Sequence, residues 1–231
     1  EPEIIDLQNY LNNAGAKIKG SGNSVIIIEG VEKLKNVNHN TMPDRIVAGT
    51  FMVASAITKG EIIIKNVVVD HLQSINAKLK EAGCSIYTDE KSLKIIGPKK
   101  IYPIEMTQTL PYPGFPTDMQ AQLMALLSIA SGTSIITETV FENRFKHAEE
   151  LIRMGANIKT FGKVAVIKGV KELTGAKTTA KDLRGGACLV LAGLAAGGQT
   201  EIENIYHIKR GYEDFHIRLR EIGADIKLIE D

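Results

Sequence analysis

The chain has 231 residues, a 44% hydrophobic share and a formal net charge of +1. That is enough for one large domain or two small ones with a core that needs no disulfide, and the near-neutral balance excludes nucleic acid as a default partner. No apolar run reaches the roughly 20 uninterrupted residues of a membrane helix, and Glu1-Pro2-Glu3 is not the basic start of a signal peptide. The two cysteines, Cys84 and Cys188, sit in apolar contexts and read as small buried hydrophobes, which fits a reducing cytoplasm. The missing initiator Met points to a fragment or a processed chain.

Glu1 to Gly30 reads as a helix, a Gly and β runs, the last at Val25 to Ile28. Asp44 opens an apolar helix from a capping position. Gly60 and a β run, Glu61 to Lys65, follow it, then a helix with Leu72, Ile75 and Leu79 on one face. Leu93 to Ile96 closes that stretch. Pro113, Gly114 and Pro116 break the chain, and Asp118 stands where a cap or first-turn acid belongs. Met119 to Ala130 is apolar nearly all round, which predicts a buried helix. Gly132 ends it and a short β run to Thr137 follows. Glu138 to Phe145 then packs two acids, Asn143 and Arg144 into a loop that burial alone does not ask for. Beyond the next helix lies the β run Val164 to Ile167. Asp182 opens a third apolar helix, Thr200 to Glu203 is β, and an amphipathic helix with Phe215, Leu219 and Ile222 ends at Gly223.

The pattern repeats. Gly15, Gly83, Gly155 and Gly223 each follow a helix, each precedes a small residue, and each has an isoleucine three positions later. Such glycines are natural C-caps. The unit is helix, strand, helix, strand, strand, too large and too few for a solenoid. Three units are nearly complete, and the first, Glu1 to Gly30, holds only the second helix and its strands.

PTDMQAQ, TETVFENRF, RMGA, Asp182-Leu183-Arg184 and YHIKRGYEDF occur in the order and at the spacing found in the UDP-N-acetylglucosamine 1-carboxyvinyltransferases, the UDP-GlcNAc enolpyruvyl transferases of peptidoglycan synthesis. The chain resembles the C-terminal half of that family from Glu1 onward. The resemblance implies an α/β (α+β) fold, an inside-out α/β barrel with helices within and sheets toward solvent. It makes residues 1–42 the tail of an N-terminal globule and residues 43–231 a C-terminal globule of three repeat units. It implies a cytoplasmic transferase with no cofactor, acting on phosphoenolpyruvate and UDP-N-acetylglucosamine.

Site residues follow from the same resemblance, each beside a plainer reading. Asp118 takes the proton of the attacking sugar hydroxyl and binds the sugar; from the residues alone it is a helix cap. Asp182 lies beside the reacting carbons and Arg184 holds a phosphoenolpyruvate anion; the plain alternative is a surface ion pair. An Arg in a first helical turn opposes the dipole by roughly a few tenths of a kcal/mol, so stability does not select it. Gly185 and Gly186 allow a ligand close to the backbone. Arg210 forks onto phosphoenolpyruvate, or is a solvated turn residue. Arg144 holds the anion with Glu142 as a positioning acid and Val140 meeting the UDP-sugar through its backbone, or the segment is an ordinary loop with a capping acid. Asp44-Arg45 reads as helix capping and domain closure, and Tyr206 and Tyr212 as packing.

Asp118, Arg184 and Arg210 must then open on one recess. The family's acid, a cysteine on a loop of the N-terminal globule, has no counterpart here, and Cys188 lies in an apolar helix. The chain alone is expected to be inactive for want of its N-terminal globule. Two alternatives stand: a 3-phosphoshikimate 1-carboxyvinyltransferase-like domain, against which TETVFENRF argues, and a non-catalytic repeat domain with an exposed apolar face.

Overall fold

A computed structural model describes residues 1–229. It begins with α1 (Pro2–Asn13) and the antiparallel pair β1 (Lys17–Lys19) and β2 (Ile27–Glu29). Pro2 sits in the first turn, where its missing N–H costs nothing. Residues 30–44 run without regular structure. The first full unit is α2 (Arg45–Ile57), β3 (Glu61–Lys65), α3 (Gln73–Glu81), β4 (Ser85–Asp89) and β5 (Ser92–Ile96). The second is β6 (Met106–Gln108), α4 (Gln120–Leu127), β7 (Thr133–Thr137), α5 (Lys146–Arg153), β8 (Asn157–Phe161) and β9 (Val164–Lys168). The third is β10 (Lys177–Thr179), α6 (Leu183–Ala195), β11 (Glu201–Glu203), α7 (Tyr206–Lys209) and α8 (Phe215–Glu221).

α2, α4 and α6 pack on one another at the centre. They carry almost no polar face, so no side of them favours water; every residue of α4 is buried. The sheets β3-β5-β4 and β6-β7-β9-β8 lie outside them. Alternation decides which side chains turn inward: Leu93, Ile95, Ile136, Ala165 and Ile167 are buried, whereas Ile63, Tyr87 and Phe161 stand in solvent. This is the inside-out arrangement expected from the sequence.

The four helix-ending glycines all take positive φ, between 90° and 104°. A second set marks close approach. Gly97 and Gly169 follow the last strand of their units and donate N–H to Gly60 and Gly132. A Cβ on Gly97 would stand 2.5 Å from the Ser55 carbonyl oxygen, and one on Gly169 only 1.7 Å from that of Ala130. Ser55 lies in the last turn of α2 and Ala130 just past the end of α4, so each glycine is the seam between sheet and core. Gly30 holds the same place after β2, yet a Cβ there would meet nothing within 4 Å. Val25 to Ile28 beside it are all exposed, by 47–69%.

Two features depart from the sequence reading. Each of the last two units gains a strand before its central helix: β6 pairs parallel with β7, and β10 with β11. The third unit is also shorter than the repeat predicts. Among the described residues nothing after α8 pairs as a strand, so its sheet is β10-β11 alone. The last two residues of the 43–231 span lie outside the described residues.

Candidate active site

A cavity of about 940 Å³ opens between α1, the loop at Leu110–Pro111 and the N-terminal ends of the central helices. Asp44 caps α2 by accepting from the Ile46 and Val47 N–H groups at 2.7 and 3.0 Å, as expected. Arg45 turns back to α1. Its Nε lies 2.8 Å from Glu3 Oε1, its Nη2 meets Glu1, and its guanidinium lies over the Tyr112 ring. Glu1 Oε1 also accepts the Tyr112 N–H at 2.8 Å. Burial works against the Arg45 charge, and the two glutamates outweigh it, so its pKa is raised. This cluster fastens α1 to the rest of the chain and forms one wall of the cavity.

Asp118 is not a cap. It lies in a one-turn 3-10 helix, Thr117–Met119, that leads into α4 without a side-chain cap bond. Its two oxygens face two arginines instead: Arg144 Nη2 at 2.7 Å from Oδ1 and Arg184 Nη2 at 3.0 Å from Oδ2. Its carbonyl accepts from Gln122 Nε2 at 2.8 Å. The same amide nitrogen lies 3.1 Å from Thr50 Oγ1 and 3.2 Å from the Tyr212 hydroxyl. Tyr212 is buried, as packing predicts, but its ring also carries the Arg184 guanidinium at 5.4 Å. Burial opposes the Arg184 charge; Tyr212 and Asp118 more than offset it and raise the pKa. Arg184 Nε and Nη1 are buried with no hydrogen-bond partner among the described residues.

The remaining residues from the sequence reading fall elsewhere. Asp182 turns its carboxylate onto its own helix, 2.7 Å from the Gly185 N–H, so it is the cap. Gly185 and Gly186 serve packing rather than a ligand: a Cβ would meet His147 at 3.2 Å and Ile208 at 2.6 Å, so α5 and α7 fill the space. Arg210 is exposed at the end of α7 and does not line the cavity, so the common recess holds two of the three groups expected there. Glu142 is exposed and makes no hydrogen bond among the described residues, whereas Val140 lines the cavity. Tyr206, expected to pack, is 64% exposed, with its ring beside that of His207. Cys84 and Cys188 are buried and free. Burial pushes the Cys84 thiol up to about 11 and Cys188 higher still, which leaves both protonated and inert. No helix among the described residues is long and apolar enough to cross a membrane.

Sequence reasoning passed over His147, Gln122 and Glu138. His147 is buried at the start of α5 with Nε2 unpartnered among the described residues. Burial drives its pKa down to about 4; Asp182 pulls it up and Arg144 pushes it down. Unfolded, it titrates near 6.5. Above that pH both states are neutral. Between about 6.5 and 4 the unfolded chain binds a proton the folded chain refuses, so stability falls as pH falls. The loss reaches up to about 3 kcal/mol by pH 4. Urea midpoints across that window should show it, and His147→Gln should flatten that part of the curve. Equal slopes for both proteins would refute the assignment.

The family model for EPSP synthase (3-phosphoshikimate 1-carboxyvinyltransferase) matches residues 1–219. The chain belongs to the EPSP synthase family. Within this family it is 57% identical over 226 residues to UDP-N-acetylglucosamine 1-carboxyvinyltransferase 1 of Caldanaerobacter subterraneus subsp. tengcongensis, covering 98% of this chain and 54% of that protein. It is 55% identical over 233 residues to UDP-N-acetylglucosamine 1-carboxyvinyltransferase 2 of Carboxydothermus hydrogenoformans, covering 100% and 55%. The chain spans about half the length of the curated relatives it matches. Among solved structures, the enolpyruvyl transferase NikO from Streptomyces tendae superposes with a TM-score of 0.87 at 28% identity, over 98% of this chain and 54% of that one. EPSP synthase from Acinetobacter baumannii gives a TM-score of 0.74 at 19% identity over 96% and 55%, which shows the fold alone. This EPSP synthase family member therefore has the α/β enolpyruvyl transferase fold. The two relatives named above carry the UDP-N-acetylglucosamine name, so the 3-phosphoshikimate alternative is not favoured.

Proposed function

We propose that the chain is the C-terminal part of a cytoplasmic UDP-N-acetylglucosamine 1-carboxyvinyltransferase of peptidoglycan synthesis. Residues 43–231 form one globule, and residues 1–42 are the tail of the other. The observation that carries this reading is the meeting of Arg144 and Arg184 on Asp118 at one cavity. A buried guanidinium with Nε and Nη1 unpartnered is costly, and a carboxylate or phosphate answers both donors. The names of the relatives supply the sugar nucleotide. The open space at Gly30, where its counterparts meet a helix end, supports a first unit completed by further chain.

In this reading the sugar 3-hydroxyl oxygen attacks carbon 2 of phosphoenolpyruvate, and Asp118 takes its proton. Carbon 3 gains a proton from an acid on the other globule; the tetrahedral intermediate then expels phosphate from carbon 2 while carbon 3 gives up a proton to a base, which restores the double bond. Asp118 can accept a proton only when Arg144 or Arg184 has moved off its oxygens, and the anionic substrates draw them away. Asp182 and Arg210 join when the two globules close; α7 already packs on α6. Joining the chain to the upstream half of the Caldanaerobacter relative tests the reading. Phosphate release from phosphoenolpyruvate is expected with UDP-N-acetylglucosamine and not with shikimate 3-phosphate, and none from the 231-residue chain alone. Release with shikimate 3-phosphate only, or turnover by the isolated chain, defeats it.

A further inference from the structure

Glu138 is 1% exposed, yet no cation reaches it among the described residues. Its carboxylate is filled by four neutral donors. Oε1 accepts from Thr109 Oγ1 at 2.8 Å, from the Val140 N–H at 2.9 Å and from the Phe141 N–H at 3.1 Å; Oε2 accepts from Thr117 Oγ1 at 2.8 Å. Strand pairing asks for none of these bonds. The donors come from the two sides of the cavity: Thr117 precedes Asp118, and Val140 and Phe141 face it from the loop after β7. The Phe141 ring carries the Arg144 guanidinium at 4.9 Å, and Arg144 holds Asp118. The contacts thus close a ring, from Asp118 through Arg144, Phe141, Glu138 and Thr117 back to Asp118. Asp118, Thr117 and Phe141 line the cavity, whereas Glu138 is sealed beneath them.

We infer that Glu138 is a positioning residue: it fixes the distance between Asp118 and the Val140–Phe141 loop, and so shapes the subsite for the sugar nucleotide. This rests on the function proposed above. A buried carboxylate suits the task because it takes two N–H groups of its own loop and two hydroxyls, 21 and 29 residues earlier in the chain, at once. Glutamine reproduces most of this. Its carbonyl oxygen can keep Thr109 and the two N–H groups, and its amide can donate to a rotated Thr117 hydroxyl. Aspartate is one methylene short and reaches one side only.

The test uses the enzyme completed by its upstream half, with Glu138→Ala, Glu138→Gln and Glu138→Asp. KM for UDP-N-acetylglucosamine is expected to rise about ten- to hundredfold in the Ala and Asp variants. KM for phosphoenolpyruvate should stay within about threefold, and Glu138→Gln should recover most of the loss. Amide exchange at Val140 and Phe141 should quicken in Ala and Asp and not in Gln. Should the Ala variant fail to fold, the Asp and Gln pair carries the comparison. An unchanged sugar-nucleotide KM, a parallel loss in both substrates, or a Gln variant no better than Asp overturns the inference. A wild-type enzyme silent on UDP-N-acetylglucosamine removes the functional reading and the subsite with it, while the exchange rates still report whether Glu138 holds the loop.

Discussion

In the completed enzyme, Asp118→Asn is expected to lower kcat by about 10²- to 10⁴-fold, the range that a positioned general base contributes. The variant keeps the shape of the side chain and loses the charge and the basicity. It should still fold, because the Asp118 backbone is held separately by Gln122. It leaves Arg144 and Arg184 facing a neutral amide, so two cations formerly offset by one carboxylate sit together. Two outcomes separate from this. Turnover collapses for want of a proton acceptor, and inorganic phosphate binds the variant more tightly than wild type, because the arginines no longer have an internal anion to hold. Steady-state kinetics and phosphate-dependent thermal shifts measure the two independently. Turnover within about threefold of wild type sinks the base assignment.

Gly169→Ala is expected to destabilise the chain by at least about 3 kcal/mol, beyond the usual overpacking range. The added methyl would stand 1.7 Å from the Ala130 carbonyl oxygen and 2.9 Å from its nitrogen. These are backbone atoms at the end of the helix region that fills the core, and Gly169 is tied there by its N–H bond to Gly132. No rotamer change relieves the contact, so β9 and α4 must separate. Gly30→Ala is the control. It sits at the equivalent place in the repeat with nothing nearby, so its effect should stay within about 0.5 kcal/mol. Urea unfolding of both variants gives the comparison, and equal midpoints would mean that the seam yields.

The repeat was legible because it is written in backbone requirements. Gly15, Gly83, Gly155 and Gly223 stand where only a residue without Cβ accepts the turn cheaply, and all four show positive φ. The central helix at Met119 was legible from its lack of a polar face. β6 and β10 were not, because three residues such as Met106–Gln108 carry no period, and their pairing partners lie 29 and 24 residues away. The site was half legible. Motif resemblance picked out Asp118, Arg144 and Arg184, but their convergence is a matter of tertiary packing across 26 and 66 residues. Asp182 and Asp118 look alike in sequence, each before an apolar helix, and they divide the two readings between them: one caps and the other faces arginines. Glu138 was legible only as one of the two acids of its loop; its burial among threonines was not, since it follows no hydrophobic pattern. Gln120 and Gln122 did offer one, as amides inside a helix with no polar face.

The bare isoleucines of β2 bear on how the chain behaves in a tube. A short two-stranded ribbon with Ile27 and Ile28, and Val25 and Ile26 just before them, open to water is a ready template for backbone pairing between copies. Concentrating the polypeptide by itself therefore favours sticky assembly through that ribbon, before any loss of the helical core. On the function proposed above, an upstream half supplied during synthesis, rather than added afterwards, would keep the ribbon out of water from the start.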